Sequence, residues 1–252
     1  MSAYQLCVVV PHYNHIDSLE RFLPNLLGLN LPLIVVDDGS TAQNKSRLQA
    51  LLCDKPSCHL VEHELNQGKG AAMLTGAKLA EQQNFTHMFQ IDADGQHDVT
   101  DVARFAEYSR EHPSHIVSGA PIFDESAPKA RLYGRKVTDF WVAIETLSVG
   151  IKDSLCGFRI YPLKEFLQVH SKYSIGERMQ VDTDVIVKSA WSGIPIHFID
   201  TKVIYNQANV SHFHYLRDNL RLIWLHIKLM LGMLLHCPKL LVSRLTGMSA
   251  SV

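Results

Sequence analysis

The chain has 252 residues, of which 46% are hydrophobic and 19% are charged, and its formal charge is −1 at pH 7. A chain of this length can bury a sizeable core, either as one large domain or as one domain with an appendage. A charge so close to zero creates no global field that attracts nucleic acid, so we expect no nucleic-acid partner.

The cysteine pattern indicates a reducing compartment. There are five cysteines, an odd number, and no C-x-x-C pair. Reduced thiols are therefore predicted, rather than a disulfide framework or a zinc site. The chain enters an apolar run by Leu6 without a basic segment and a long apolar stretch before it, so we expect no signal peptide and a cytoplasmic location.

Short apolar runs alternate with helical patterns through the first half of the chain. The predicted strands are residues 6–11, 33–36, 59–62, 88–91 and 116–119, and the predicted helices are residues 17–29, 42–52, 71–83 and 100–111. Strands and helices that alternate at this spacing require crossover connections. The sequence therefore predicts an α/β fold with a doubly wound, mostly parallel sheet.

The pattern is less regular after residue 120. Residues 121–135 read as a loop, followed by a helix over 137–147, a turn entering a strand over 153–161, a helix over 181–192 and short strands over 194–199 and 203–205. The loop region is basic, with Lys129, Arg131, Arg135 and, just beyond it, Lys136. A basic loop can clamp a phosphate-bearing substrate, although a solvated run of charges is the commoner explanation.

From Leu216 the chain becomes a strongly apolar helix interrupted by Arg221, His226, Lys228 and His236. It is too short and too interrupted for the sequence to predict a membrane span. A helix of this kind suits the bilayer interface. Packing against the domain or against a second subunit, which would make a homodimer, is the alternative.

Three polar clusters follow predicted strands: residues 12–14, 37–40 and 92–96. In doubly wound sheets, ligands bind beyond the carboxyl ends of the strands. Polar clusters confined to that edge predict a nucleotide-type site there.

The stretch Asp92-Ala-Asp-Gly-Gln places two carboxylates one residue apart at the end of a buried strand. Buried charges need partners or a metal, and Mg²⁺ prefers oxygen ligands together with substrate phosphates. Gly95 allows a tight turn, and Gln96 adds a neutral oxygen. An ordinary acidic surface turn is the alternative.

Gly68-Lys69-Gly70 matches neither the dinucleotide-binding fingerprint nor the P-loop. It places backbone N–H groups and a lysine at a helix start, which suits either a bound phosphate or a solvated lysine. Asp182 and Asp184 lie near the start of another predicted helix, where acids also favour the helix dipole.

These motifs together resemble family 2 glycosyltransferases of the GT-A fold, and most closely the dolichyl- and undecaprenyl-phosphate sugar transferase branch. The matching motifs are Val-Val-Pro-His-Tyr-Asn (9–14), Val-Val-Asp-Asp-Gly-Ser (35–40), Asn-x-Gly-Lys-Gly (66–70), Asp-Ala-Asp-Gly-Gln (92–96) and Cys-Gly-Phe-Arg-x-Tyr (156–161). They cover roughly residues 5–205, so the resemblance implies a GT-A domain over 1–215 and an amphipathic helical extension over 216–252.

The resemblance implies a role for each matching residue. Pro11, Tyr13, Asp37, Asp38, Lys69 and Asp92 would bind the nucleotide; Asp94 and Gln96, with Asp92 and His212, would bind Mg²⁺ or Mn²⁺; Arg131, Arg135 and Arg159 would meet the acceptor or diphosphate; Asp182, with Asp184 second, would be the general base for an acceptor hydroxyl. An acceptor phosphate is already anionic and would need no base.

The resemblance implies inverting, metal-dependent sugar transfer from a UDP- or GDP-sugar to a lipid-linked or membrane-proximal acceptor, at the cytoplasmic face of the membrane. The chain departs from the polyprenyl-phosphate branch in residues 202–219 and lacks the two long C-terminal spans of some members. A catalytically inactive, membrane-associated nucleotide-binding module is one alternative. A sugar-phosphate nucleotidyltransferase is another, although residues 12–15 lack its glycine-rich basic loop.

Overall fold

Residues 3–123, 129–203 and 215–245 are described by the computed structural model. The strands are β1 (Leu6–His12), β2 (Leu33–Asp37), β3 (Cys58–Glu62), β4 (His87–Gln90), β5 (Ile116–Phe123), β6 (Arg159–Pro162) and β7 (Ile196–Val203). The helices are α1 (Ile16–Leu27), α2 (Ala42–Leu52), α3 (Lys69–Gln82), α4 (Val102–Glu111, after a 3₁₀ turn at Val99–Asp101), α5 (Lys129–Glu145), α6 (Leu163–Lys172), α7 (Val181–Ser192) and α8 (Tyr215–Leu245).

The seven strands form one sheet in the order β3-β2-β1-β4-β6-β5-β7. All neighbouring strands are parallel except β6, which runs antiparallel to both β4 and β5. The predicted doubly wound, mostly parallel α/β sheet, with a C-terminal helical extension, is confirmed.

Side chains on β1 alternate between two cores, one on each face of the sheet. Cys7 and Val9 join the core that α3, α6 and α7 cover, whereas Val8 and Val10 join the core that α1, α2 and α4 cover. A central strand buried on both faces has to be apolar throughout, which explains the continuous run in its sequence. Helices on both faces also leave the carboxyl ends of β1, β2 and β4 facing one edge.

The second half of the chain differs from the sequence prediction in three elements. Residues 129–135, predicted to be loop, are the start of α5. Residues 194–199 and 203–205 do not form two short strands; β7 runs unbroken over Ile196–Val203, and residues 204–205 lie outside the described range. Helix α6 was not predicted. The first two turns of α5 were missed because the helix exposes apolar side chains such as Tyr133 and Phe140, which obscures the usual alternation of apolar and polar faces.

Helix α8 packs on the domain along one side only. Leu225, Leu229 and Met233 are buried in the same core as α7, while the rest of the helix leaves a row of large apolar side chains exposed: Leu220, Ile223, Trp224, Ile227, Leu231, Leu234 and Leu235. Within the described ranges, Asn219–Pro238 is the one stretch long and apolar enough to cross a membrane by length and composition. One face of α8 therefore has no protein partner among the described residues.

Candidate active site

The first two strands end side by side, and their polar ends are joined by hydrogen bonds. His12 pairs with Asp37 in the β1–β2 register, and the ring nitrogen Nδ1 of His12 lies 2.8 Å from Asp37 Oδ1. Ser40 donates its backbone N–H to the other oxygen of Asp37. Burial raises the pKa of Asp37, but the hydrogen bonds from His12 and Ser40 outweigh that effect and lower it overall. Asp37 thus fixes the turn that follows β2.

The next carboxylate, Asp38, fastens the loop that precedes α3. It is buried and accepts hydrogen bonds from His63 Nδ1, from the Asn66 side chain and from the backbone N–H groups of Gln67 and Gly68, at 2.7–2.9 Å. Asp38 therefore holds residues 66–68 in place, and its contact with the nucleotide stays a prediction.

The start of α3 holds neither a phosphate cradle nor a solvated lysine, the two alternatives that the sequence left open. The backbone N–H groups of Gly70 and Ala71 donate to the carbonyl of Glu177, at 2.6 and 3.1 Å, and that of Gly68 donates to Asp38. These three amides are therefore already paired and cannot cradle a phosphate. Gly68 has φ +109°, and a Cβ there would lie 2.4 Å from the Glu177 carbonyl oxygen, so only glycine fits this close approach.

Lys69 is not a solvated lysine. Its Nζ lies 2.8 Å from Asp92 and 2.8 Å from Asp182, and its side chain is 10% exposed. Burial disfavours a charged ammonium, but the two carboxylates outweigh that effect and raise the pKa of Lys69. Burial likewise raises the pKa of Asp92, and the attraction of Lys69 more than reverses it, so the pKa of Asp92 is lowered. Lys69 is thus a charged bridge between β4 and α7.

Asp182 is held from several sides. Its two carboxylate oxygens accept hydrogen bonds from Gln90 Nε2 and from Lys69 Nζ, both at 2.8 Å. Its backbone carbonyl accepts a hydrogen bond from Arg159. Asp182 is 4% exposed, so its carboxylate is almost fully shielded from solvent.

Arg159 is fully buried and bonded within the protein. Its guanidinium donates to the hydroxyl groups of Ser118 and Tyr161, at 2.9 and 2.8 Å, and to the Asp182 carbonyl at 3.0 Å. A side chain with no solvent exposure does not reach an acceptor or a diphosphate. We therefore correct its predicted role: Arg159 links β5, β6 and the start of α7, and it positions Asp182 through the hydrogen bond to the Asp182 backbone carbonyl.

Gly157 allows the backbone to approach Asp92 closely. A Cβ at position 157 would lie 2.3 Å from Asp92 Oδ2, far inside any normal contact. The glycine in the Cys-Gly-Phe-Arg motif is therefore explained by the space that the Asp92 carboxylate occupies.

Asp94 and Gln96 lie half-buried in the turn after β4, where Asp94 Oδ1 accepts the backbone N–H of Gln96 at 3.1 Å. No group of three His, Cys, Asp or Glu side chains converges as a metal site anywhere in the described ranges. A Mg²⁺ ion, however, is usually held by one or two carboxylates while waters and substrate phosphates complete its shell. The oxygen donors of Asp94 and Gln96 fit an ion of that kind.

His97 was not singled out from the sequence. Its ring stacks on Phe158, with 4.9 Å between ring centroids. Burial, together with the nearby cations Arg135 and Lys69, outweighs the attraction of Asp92 and lowers the pKa of His97 to about 4. A neutral imidazole therefore closes the wall of the site beside Asp92.

The basic segment contributes Arg135 to this region. Arg135 forms an ion pair with Asp153, and its guanidinium lies 5.1 Å from the centre of the Phe123 ring. One turn further along α5, burial and the nearby Asp153 raise the pKa of Asp139 to about 7, although Arg135 opposes the shift. Asp139 was also missed, since an isolated Asp within a predicted helix carries no signal in the sequence.

The structure thus brings together some of the predicted site residues and separates others. Pro11 and Tyr13 are half-buried where β1 ends, near the turn that Asp37 and Ser40 form. Asp184 does not join Asp182 and Asp92; it accepts the N–H of Gly176 on another side of α7. His212 and the side chain of Arg131 lie outside what the structure describes.

A family model described as "Glycosyl transferase family 2" matches residues 7–167. The UDP-N-acetylglucosamine–dolichyl-phosphate N-acetylglucosaminyltransferase of Methanococcus voltae is 24% identical over 220 residues, which is 81% of this chain and 87% of that protein. The polyprenol monophosphomannose synthase of Mycolicibacterium smegmatis is 26% identical over 185 residues, 69% of each chain.

Among solved structures, the chain resembles glucosyl-3-phosphoglycerate synthase from Mycobacterium tuberculosis, solved with Mn²⁺ and UDP-glucose. The TM-score is 0.61 at 15% identity, over 93% of this chain and 79% of the other. At this low identity the likeness concerns the fold alone.

Proposed function

Because the chain belongs to glycosyl transferase family 2 and is an enzyme of that kind, we propose that it transfers a sugar from a UDP- or GDP-sugar to a phosphate-bearing lipid acceptor, with inversion. The observation that carries the proposal is the convergence of Asp92 and Asp182 on Lys69 at the carboxyl end of β4. Ligands bind at this edge in doubly wound sheets. Two carboxylates and one ammonium give the cluster a net charge of −1, so a diphosphate donor would bind there through the divalent cation that Asp94 and Gln96 would hold.

The donor end of the site would be built from β1, β2 and β4. Pro11 and Tyr13 are placed to flank the nucleotide, while Asp94 and Gln96 would hold Mg²⁺ or Mn²⁺ against its diphosphate. A bound divalent cation supplies electrostatic stabilisation of the charge on a leaving nucleoside diphosphate. Asp92, held between Lys69 and the Gly157 backbone, would orient the donor at the edge of this group.

The acceptor is proposed to be a lipid phosphate because no exposed base faces it from α7. Asp182 is buried and both of its carboxylate oxygens already accept hydrogen bonds. An acceptor phosphate is anionic and needs no proton removed. Arg135, at the rim and 22% exposed, would then meet that phosphate in place of Asp153. The two relatives named above are described as acting on dolichyl phosphate or as synthesising a polyprenol monophosphomannose.

We place the enzyme at the cytoplasmic face of the membrane, with residues 1–215 as the transferase domain and residues 216–252 as the membrane-proximal segment. The exposed apolar side of α8 supports this placement, because Trp and leucine side chains on an amphipathic helix suit the bilayer interface. A homodimer through the same surface is the competing arrangement.

The test is a donor-hydrolysis screen over several UDP- and GDP-sugars, with Mn²⁺ and then with EDTA. We expect metal-dependent hydrolysis of one donor, and its loss in Asp94→Ala. Calorimetry with UDP and GDP, with and without Mn²⁺, provides the matched binding measurement. Absence of any metal-dependent nucleotide binding would instead favour the inactive module, and full activity in EDTA would refute the metal role.

A further inference from the structure

The ring of His97 is held in the wall of the site by stacking on Phe158, and the backbone of residue 97 pairs with Val203 as an antiparallel bridge. The ring nitrogen Nδ1 is buried and has no hydrogen-bond partner among the described residues. By contrast, both ring nitrogens of His63 and of His87 have partners, at 2.8–3.0 Å. His97 is therefore a polar side chain whose hydrogen bonding the described residues do not complete, which calls for an explanation.

The sheet places His97 beside the donor end of the proposed reaction. Asp94 and Gln96, the proposed ligands of the divalent cation, precede it in the turn after β4. Phe158 comes directly before β6, and β6 runs antiparallel to β4, so the first residue of β6 pairs with the last residue of β4. The stack on Phe158 therefore puts the His97 ring at the carboxyl end of β4, on the side of β6.

The proposed acceptor contact lies further along the same edge. The Arg135 guanidinium lies 5.1 Å from the centre of the Phe123 ring, at the end of β5, and β5 is the next strand after β6. Phe123 also pairs with Val203 of β7, the residue that bridges to His97. Arg135 is near enough to the His97 ring to act on it electrostatically. The edge thus carries the nucleotide residues of β1 and β2, the cation ligands after β4, His97 and then Arg135, in that order.

A sugar that is transferred has to lie between the diphosphate that leaves and the acceptor that attacks. Between the proposed cation ligands and Arg135, the order along the edge places His97. We propose that His97 forms a hydrogen bond with a hydroxyl group of the transferred sugar and so contributes to the choice of donor. A sugar hydroxyl both donates and accepts hydrogen bonds, so it can pair with a ring nitrogen whichever of the two carries the proton. This inference rests on the proposed function and names a residue that selects the sugar.

The ring can present a nitrogen to the sugar without leaving its stack. His97 is only half-buried, and the torsion about the Cβ–Cγ bond of histidine has a broad, roughly two-fold preference. A half-turn about that bond exchanges the two edges of the ring and keeps its face on Phe158. Nδ1 then moves from the buried edge of the ring to the opposite edge.

The test compares sugar nucleotides with the diphosphates that they contain. Calorimetry with Mn²⁺ measures binding of UDP-glucose, UDP-N-acetylglucosamine and GDP-mannose, and of UDP and GDP, to the full chain. His97→Phe keeps an aromatic ring against Phe158 but has no ring nitrogen. It is expected to weaken binding of the sugar nucleotide that the wild type hydrolyses by about 10-fold, and to leave binding of the parent diphosphate unchanged. Unchanged affinity for the sugar nucleotide, or an equal fall for the parent diphosphate, would overturn the proposal.

Two further variants separate the ring nitrogens from other effects. His59→Phe makes the same change at an exposed position on β3 and is expected to keep both affinities; a fall as large as that of His97→Phe would overturn the proposal. His97→Asn keeps a hydrogen-bonding group close to the position of Nδ1, so it is expected to lose less affinity for the sugar nucleotide than His97→Phe. An equal loss would show that the shape of the ring holds the sugar, and would also overturn the proposal.

The same measurements distinguish this inference from the proposed function. A wild-type chain that binds neither UDP nor GDP in the presence of Mn²⁺ would refute the proposed function, and the role of His97 with it. A wild-type chain that binds them, and whose His97→Phe variant binds the sugar nucleotide equally well, would refute the role of His97 alone.

Discussion

Asp92 and Asp182 share one ammonium group: Lys69 Nζ lies 2.8 Å from an oxygen of each. The three residues come from the end of β4, the start of α7 and the start of α3, which are distant in the sequence. The Asp182 side chain is buried, and that of Asp92 is 28% exposed. Without Lys69 the two carboxylates would repel each other; the ammonium attracts both and fixes their positions. Arg159 donates a hydrogen bond to the backbone carbonyl of Asp182, and Gln90 donates one to its carboxylate. The positions of these charged groups are therefore fixed without a bound ligand.

Replacement of Lys69 by methionine is expected to destabilise the protein strongly. It leaves the buried Asp182 and the partly exposed Asp92 without a counter-ion, and breaking a buried ion pair costs about 3–5 kcal/mol. Urea unfolding followed by circular dichroism measures this cost. The double variant Lys69→Met/Asp182→Asn is expected to recover part of the loss, because only one carboxylate then stays charged.

The matched control for this experiment is Lys164→Met, at an exposed position on α6, where the change in unfolding free energy is expected to stay within about 0.5 kcal/mol. If Lys69→Met lowered the unfolding free energy as little, or if adding Asp182→Asn lowered it further, the Lys69 bridge would not be a main source of stability.

The sequence predicted the site's location better than its internal contacts. Polar residues after β1, β2 and β4 were expected to lie at one edge of the sheet, and they do, because the periodicity and the ends of strands are local features of a sequence. The Lys69 bridge and the burial of Arg159 depend on which elements pack together, and no local pattern encodes that. The antiparallel strand β6, inserted between β4 and β5, is of the same kind: it carries Arg159 into the core, whereas the resemblance implied a contact with the acceptor or diphosphate.

Gly157→Ala is expected to abolish donor hydrolysis while the protein remains folded. The new Cβ would lie 2.3 Å from Asp92 Oδ2, so the carboxylate has to leave its place between Lys69 and the backbone. Turnover and Mn²⁺-dependent nucleotide binding measure the effect. Gly134→Ala is the control, since a Cβ there meets nothing within 4 Å and should stabilise α5 by up to about 1 kcal/mol. Normal turnover by Gly157→Ala would show that the position of Asp92 is not critical.

Asp139 is expected to make stability depend on pH. Burial, reinforced by Asp153, raises its pKa to about 7, so between about pH 4 and 7 the folded state binds the proton more tightly than the unfolded state does. The unfolding free energy is therefore highest at low pH, where Asp139 is protonated in both states, and it decreases as the pH rises from about 4 towards 7.

Asp139→Asn removes this titration, so the melting temperature of the variant should exceed that of the wild type at pH 8 and approach it at pH 4.5. Thermal unfolding at both pH values provides the measurement, with Asp98→Asn as the control, because the pKa of Asp98 is shifted in the opposite direction. An Asp139→Asn variant less stable than wild type at pH 8 would mean that attraction to Arg135 outweighs the cost of burial.

Membrane association is expected to depend on the exposed side of α8. Removal of residues 216–252 would also expose the core that Leu225, Leu229 and Met233 cover, so it cannot separate folding from binding. The triple variant Ile223→Ser/Ile227→Ser/Leu231→Ser changes only exposed positions and should release the protein from liposomes with its melting temperature unchanged. The same substitutions also test the competing homodimer: a change of oligomeric state without loss of liposome binding would favour that arrangement.

Asp182→Asn distinguishes the two acceptor classes. A general base for an acceptor hydroxyl typically contributes about 10²–10⁴-fold to the rate, so its removal would cost that much. If the acceptor is a phosphate, the loss should stay within about 10-fold, because the asparagine keeps the shape of the side chain and one of its two contacts, to Lys69 or to Gln90. The measurement is transfer to a polyprenyl phosphate, compared with donor hydrolysis by water in the same variant. A large loss in transfer with intact nucleotide binding would show that Asp182 acts as a general base. It would also count against a phosphate acceptor, because an acceptor that is already ionised has no proton for a base to remove.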